Sequence, residues 1–227
     1  LIANALMHLG NDGCFVALYP LLPFIAREYH LSYAEVGTLK TALSTFSTAW
    51  QVPMAMLAER FGDIAMLAFG TAWVSAGFML IGLAGSFLAV LLLTCLAGSG
   101  GSAQHPVATS YIAREYDGPY RASALGILNF AGDLGKFVVP ALFALTLTYY
   151  GWRQHLFALG AISLVFSIFF WINLRHRDHA VRLARQTTPG TPGWGIRHPR
   201  TFASLLSIGV LDAGVRNTLL TFVPFLL

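Results

Sequence analysis

Charge is what this sequence has least of. Only 11% of its 227 residues are Asp, Glu, Lys or Arg, where a soluble globular domain carries about 25%. With 56% hydrophobic residues and a mean hydropathy of +0.64, the composition argues against a water-soluble domain. Cysteine is also scarce. Cys14 and Cys95 both sit in apolar runs and read as small packing residues, which leaves no disulfide framework. No basic patch is interleaved with exposed aromatics, so nothing points to nucleic acid. No Ser/His/Asp set or activated Cys is visible, and an enzyme is not expected. GSGGS, residues 98–102, is not followed by the GK[ST] of a phosphate loop. His, Asp and Cys do not fall at ligand spacing, and Met54 with Met56 is too sparse for copper, so neither a metal nor another cofactor is expected. No signal peptide is visible. The chain opens on LIANALMHLG and stops on FVPFLL, both inside apolar segments, and the expectation is a piece of a longer chain.

Long apolar runs are what the sequence has in quantity. A spanning helix needs about 20 apolar residues. Six such segments fit, at 1–25, 32–57, 64–84, 87–112, 121–149 and 152–174, and a seventh begins near 201. The expected fold is all-α, a polytopic membrane protein. Its parts are a six-helix bundle over 1–174, a basic linker over 175–200, and the first helix of a second bundle over 201–227. The breaks are chemically distinct. REYHLS, 27–32, is a polar turn in which Ser32 is a candidate N-cap. ERFGD, 59–63, and REYDGPYR, 114–121, are charged turns, and YYGWR, 149–153, is an aromatic boundary of the interfacial kind. The Arg-rich first half of the linker suits an amphipathic helix on anionic lipid. Its second half, rich in Pro, Gly and Thr, reads as flexible.

Lys and Arg are unevenly spread. Nine of them occupy the loops after segments 2, 4 and 6, and two, Arg27 and Arg153, the loops after segments 1, 3 and 5. The positive-inside rule then places the N-terminus in the cytoplasm. An internal similarity supports a second bundle. LGNDGCFVALYPLLPFI, 9–25, aligns with VLDAGVRNTLLTFVPFL, 210–226, matching Gly13 with Gly214, Pro23 with Pro224 and Phe24 with Phe225. Parallel repeats of this kind build the larger transporter folds.

The few charges inside the segments carry the functional reading. Ionisable groups at mid-bilayer cost about 2.5–3.5 kcal/mol each on insertion scales and usually face a bundle interior or cavity. His8, Asn11 and Asp12 share one face of the first helix. They are either a polar knot between helices or a proton-titratable wall in which Asp12 is the acid and His8 its neighbour. In the fourth segment Ala97/Gly101 and Gly98/Ser102 have the small-xxx-small spacing of close helix packing. Gln104 belongs with the cavity wall. His105, toward the cytoplasmic third, is either a buried hydrogen-bonded histidine or a proton relay. Pro106 frees a backbone carbonyl one turn earlier and predicts a kink. In the fifth segment Asn129, Asp133, Lys136 and Pro140 step along one face, with Gly132 and Gly135 beside it. Asp133 lies roughly 18 Å in from Arg121, near mid-membrane. An apolar pair would often stabilise as well as Asp133–Lys136, which favours use over support. Asp212 and Arg216 repeat the device in the last helix. Lys40, in the outer part of the second segment, reads as snorkelling to the outer interface. Tyr19, Trp50 and Gln51 are further candidates for the cavity lining.

The turn LAERFGD, 57–63, resembles the loop between helices 2 and 3 of the major facilitator superfamily, whose pattern is roughly G-x-L-A-D-R-x-G-R-R. Leu57, Ala58, Arg60 and Gly62 match, Glu59 replaces Asp, and Asp63, Ile64 and Ala65 stand where the basic run is expected. HLGND (8–12), AGSGGSAQHP (97–106) and AGDLGKFVVP (131–140) are similar to the fosmidomycin-resistance branch of that superfamily. The resemblance implies a twelve-helix fold of which this chain supplies seven, set in a bacterial inner membrane and exporting small molecules in exchange for protons. It also implies a gating role for the loop residues Glu59, Arg60, Gly62 and Asp63. The expected function is thus a proton-coupled secondary transporter. Asp12, Asp133, His105 and His8 handle the proton, and Asn11, Gln104, Asn129, Lys136, Asp212 and Arg216 line the cavity. Its partners are a small-molecule substrate, protons, the bilayer, and a second half or second chain that completes the pathway. A membrane scaffold that keeps the fold without transporting is the alternative.

Overall fold

The computed structural model describes residues 1–187 and 198–223, apart from the side chains of 177–187, 213, 216, 217 and 220. Eight α-helices and no strand occur among the described residues. They are α1 (Ile2–Tyr29), α2 (Tyr33–Phe61), α3 (Asp63–Gly82), α4 (Phe87–Gly101), α5 (Gln104–Glu115), α6 (Pro119–Thr146), α7 (Trp152–Thr187) and α8 (Pro199–Phe222). The expected all-α membrane architecture is what the chain adopts. Five spans are long and apolar enough to cross a membrane: Ile2–Tyr29, Asp63–Gly82, Phe87–Glu115, Pro119–Thr146 and Trp152–His176.

Local chemistry explains the helix ends. Ser32 caps α2 in a reciprocal box: its Oγ accepts from the Glu35 amide at 3.3 Å, and Glu35 Oε2 accepts from the Ser32 amide at 2.8 Å. Gly62 and Gly118 turn the chain at φ of 102° and 56°, where a side chain would be strained. The fourth predicted segment is split into α4 and α5 at Ser102–Ala103. Pro106 has no amide to give to the Ser102 carbonyl, and its ring crowds that turn. α7 continues through the Arg-rich first half of the linker to Thr187, so that stretch extends a helix instead of starting a new one. The predicted flexible half lies almost wholly outside the described residues.

α2, predicted as a span, is long enough but is not among the five most apolar helices. Its cavity-facing polar residues, described below, dilute its hydropathy. α3 packs most extensively on α7 and α1 on α6, while α4 lies against both α2 and α3. Small residues allow the close approach. A Cβ on Gly98 would sit 2.5 Å from the Leu43 carbonyl of α2, and one on Gly77 would sit 2.7 Å from Ala97 Cβ.

The interior is layered. One apolar cluster, with Leu18, Leu22, Leu39, Leu43, Phe78 and Leu156, fills one end of the bundle. A second, with Met7, Ile64, Leu67, Ile112, Leu128 and Phe170, fills the other. Between them lies a buried polar layer that includes His8, Asn11, Asp12, Ser75, Ser102 and Gln104. Each end has its own charged clasp. At the first, Arg153 donates to Glu28 Oε1 at 2.6 Å and to the Ala84 carbonyl at 2.6 Å, joining α1, α3 and α7. At the second, Asp63 of α3 is ion-paired with Arg114 of α5.

Candidate functional site

The polar layer converges on Asp12. Its carboxylate is 2% exposed and meets Lys136 Nζ at 3.0 Å, His105 Nε2 at 3.5 Å and His8 Nε2 at 3.7 Å. Lys136 also donates to Asp133 Oδ1 at 3.1 Å, so one ammonium serves two carboxylates. The His8 and His105 rings meet edge to face with centroids 5.0 Å apart. Three helices supply these groups, and glycine lets them meet. A Cβ on Gly132 would lie 2.6 Å from His8 Cδ2 and 2.7 Å from Asp12 Oδ2, and one on Gly135 would overlap the Leu9 carbonyl. The glycines thin the α6 wall, as their spacing predicted.

Two placements differ from expectation. Asp133 is not enclosed in apolar surroundings; its side chain is 70% exposed, and that of Lys136 is 39% exposed. The buried stripe of α6 is Ala124, Leu128, Gly132, Gly135, Val139 and Phe143. Asn129, Asp133 and Lys136 flank that stripe on the open side. His105 is not the buried hydrogen-bonded histidine of one reading; its side chain is 52% exposed and faces Asp12.

A cavity of about 380 Å³ opens beside this cluster. Lys136 and Asp212, from the expected cavity set, line it with Asp12 and His105, from the expected proton-handling set, and with Tyr19 and Gln51. His8 lies behind Asp12 and is buried, and Asn11 and Gln104 are buried in the helix interface. Asn129 is exposed and is not among the lining residues. The side chain of Arg216 lies outside the described residues. Trp50 lines a separate apolar crevice with Phe46, Trp73 and Leu92.

Lys40 corrects the snorkelling expectation. It is 7% exposed and turns inward, with Nζ 4.6 Å from the centre of the Tyr19 ring. Ser44, Ser47, Thr48 and Gln51 follow it on the same cavity face of α2. Sequence reasoning missed Ser44, Ser47 and Thr48, although steps of three and four from Lys40 were a readable signal. The gating-loop expectation also changes. Glu59 and Arg60 are exposed, with Arg60 lying over Phe61. The interhelical charge contact comes instead from Asp63, 2% exposed, with Arg114. An acid has taken the position where the superfamily pattern has a base, so the partner on α5 is basic.

Cys14 and Cys95 are both free thiols. His8 and Asp12, one helical turn apart, and the distant His105 do offer ligand atoms within 4.8 Å of one another, which the spacing did not reveal. Lys136 places a fixed positive charge 3.0 Å from the same carboxylate. That arrangement suits an ion pair better than a second cation.

A family model described as Major Facilitator Superfamily matches residues 2–227. The fosmidomycin resistance protein of Escherichia coli (strain K12) is 32% identical over 183 residues, covering 77% of this chain and 44% of the relative. The probable L-galactonate transporter of the same organism is 28% identical over 158 residues, covering 68% of this chain and 34% of the relative. The chain thus spans less than half the length of these curated relatives. A bacterial homologue of the human lysosomal transporter Spinster, solved inward-facing and occupied, superimposes with a TM-score of 0.75. It is 21% identical, over 97% of this chain and 52% of the other.

Proposed function

Since the chain belongs to the major facilitator superfamily, we propose that it forms the first bundle and seventh helix of a proton-coupled secondary transporter. The observation that carries this reading is the sharing of Lys136 between Asp12, which is buried, and Asp133, which is exposed. A brace needs one carboxylate per ammonium. Two carboxylates competing for one ammonium give alternative pairings of similar energy, which is what a switch requires. Protonation of Asp12 releases Lys136 to Asp133, and His105, 3.5 Å from Asp12, carries the proton between that acid and the cavity. The change in pairing shifts α6 against α1 and biases which side of the membrane the cavity faces. α8 supplies the first wall of the second bundle, and the two bundles rock about the shared cavity.

Several further points belong to the same reading. The basic loops put the N-terminus in the cytoplasm of a bacterial inner membrane. The name of the fosmidomycin resistance protein supports export of a small molecule. Asp63 with Arg114 closes the inner end, where the family's charged loop is expected to gate.

The test is transport in proteoliposomes holding the natural full-length chain, with an imposed proton gradient. Asp12→Asn and Asp133→Asn are each expected to reduce gradient-driven flux by more than about ten-fold, about 1.4 kcal/mol in barrier, since each removes one of the two carboxylates that share Lys136. Gradient-driven flux that survives both substitutions would falsify the assignment.

A further inference from the structure

Lys40 is the one buried Lys or Arg among the described residues, and its ammonium lies over the face of Tyr19. The other interior cations are matched by acids: Lys136 by Asp12 and Asp133, Arg114 by Asp63, and Arg153 by Glu28. No carboxylate among the described residues lies within ion-pair distance of Lys40. A cation–π contact offsets only part of the cost of burying an ammonium. Snorkelling would relieve that cost, yet the side chain turns inward and lines the cavity. A fold that keeps such a charge facing a cavity has a place for a counter-charge that is not its own.

Resting on the transporter reading above, we infer that Lys40 binds the negatively charged group of the cargo, and that the cavity takes small hydroxylated organic anions: carboxylates, sulfonates or phosphonates. Lys136 cannot do this while it is shared between two carboxylates, which leaves Lys40 as the available Lys or Arg among the described residues that line the cavity. Ser44, Ser47, Thr48 and Gln51 continue from Lys40 along α2. Their hydroxyl and amide groups donate to the outer oxygens of an anionic head and accept from hydroxyls further along the molecule. Phe15 and Val16 supply the apolar floor against a short carbon chain. The volume of about 380 Å³ fits a molecule of that size. Cargo and proton thus occupy separate poles of one cavity, the cargo anion at Lys40 and the proton at Asp12.

The experiment is ligand-induced thermal stabilisation of the natural full-length chain in detergent. The probes are hydroxybutyrate, hydroxyethanesulfonate and hydroxypropylphosphonate, with butanediol and aminobutanol as neutral and cationic counterparts. At least one anion is expected to raise the unfolding midpoint at concentrations where the neutral and cationic compounds do not. Lys40→Met and Lys40→Gln are expected to weaken that binding by about ten-fold or more, and Lys40→Arg to retain most of it, as loss of a charge-assisted hydrogen bond predicts. Equal stabilisation by butanediol or aminobutanol, or none by any anion, overturns the inference without recourse to a variant. Unchanged anion affinity in Lys40→Met overturns the role of Lys40 and points to a carboxylate beyond the described residues as its partner. No proton gradient enters these measurements. Loss of the transport reading with anion binding intact, or the reverse, is therefore separable.

Discussion

Two glycines on α6 decide how the central acid is held, and they do so differently. At Gly135 a methyl group would meet the backbone carbonyl of Leu9, which cannot move without moving α1. Gly135→Ala is therefore expected to destabilise the bundle by about 1–3 kcal/mol, read as a lower unfolding midpoint in detergent. At Gly132 the methyl would meet the ends of the His8 and Asp12 side chains. These can swing aside, so Gly132→Ala should keep most of the stability and lose proton-driven flux instead. A midpoint that falls equally in both variants would contradict this division. At this scale the sequence was informative about type and poor about depth. Polar residues at mid-span were visible as such, but nothing local told that Lys40 turns inward or that Asp133 faces the open side. Those facts depend on which stripe of each helix meets a neighbour.

Helix ends and breaks were the most legible elements, because their causes lie within a few residues. Ser32 with Glu35 caps α2 by a mechanism that needs only the spacing. Ser32→Ala is expected to cost about 1 kcal/mol, measurable as a shift in the denaturant midpoint. The split between α4 and α5 follows from Pro106 in the same way. Pro106→Ala restores an amide donor for the Ser102 carbonyl and is expected to lengthen the distance between spin labels at the two ends of Phe87–Glu115. An unchanged distance would mean that packing against α1 and α3, and not the proline, sets the bend. α2 shows the opposite case. Its polar cavity face keeps it outside the five spans apolar enough to cross a membrane, so the helix that contributes most lining side chains carries a weak membrane signal.

The whole molecule is an insulated sandwich, with a polar layer between two apolar clusters and a charged clasp at each end. The clasps predict an asymmetry that can be measured. Arg114→Met removes the cation paired with the buried Asp63 and should lower the unfolding midpoint clearly. Arg121→Met removes an exposed pair with Asp117 and should change it little. The helical membrane architecture was readable from segment count, whereas the meeting of His8, Asp12, His105 and Lys136 was not, because it joins helices separated by about a hundred residues of sequence. That meeting has an arithmetic consequence. Asp12, Asp133 and Lys136 are three unit charges, and an odd number of unit charges never sums to zero. Any conformation that seals all three from water leaves one negative charge without a counterpart, in a medium where that is severely disfavoured. Addition of a single proton makes the set electroneutral. On the proposed reading, parity asks for one added positive charge, supplied by a proton, whenever this trio is sealed from water.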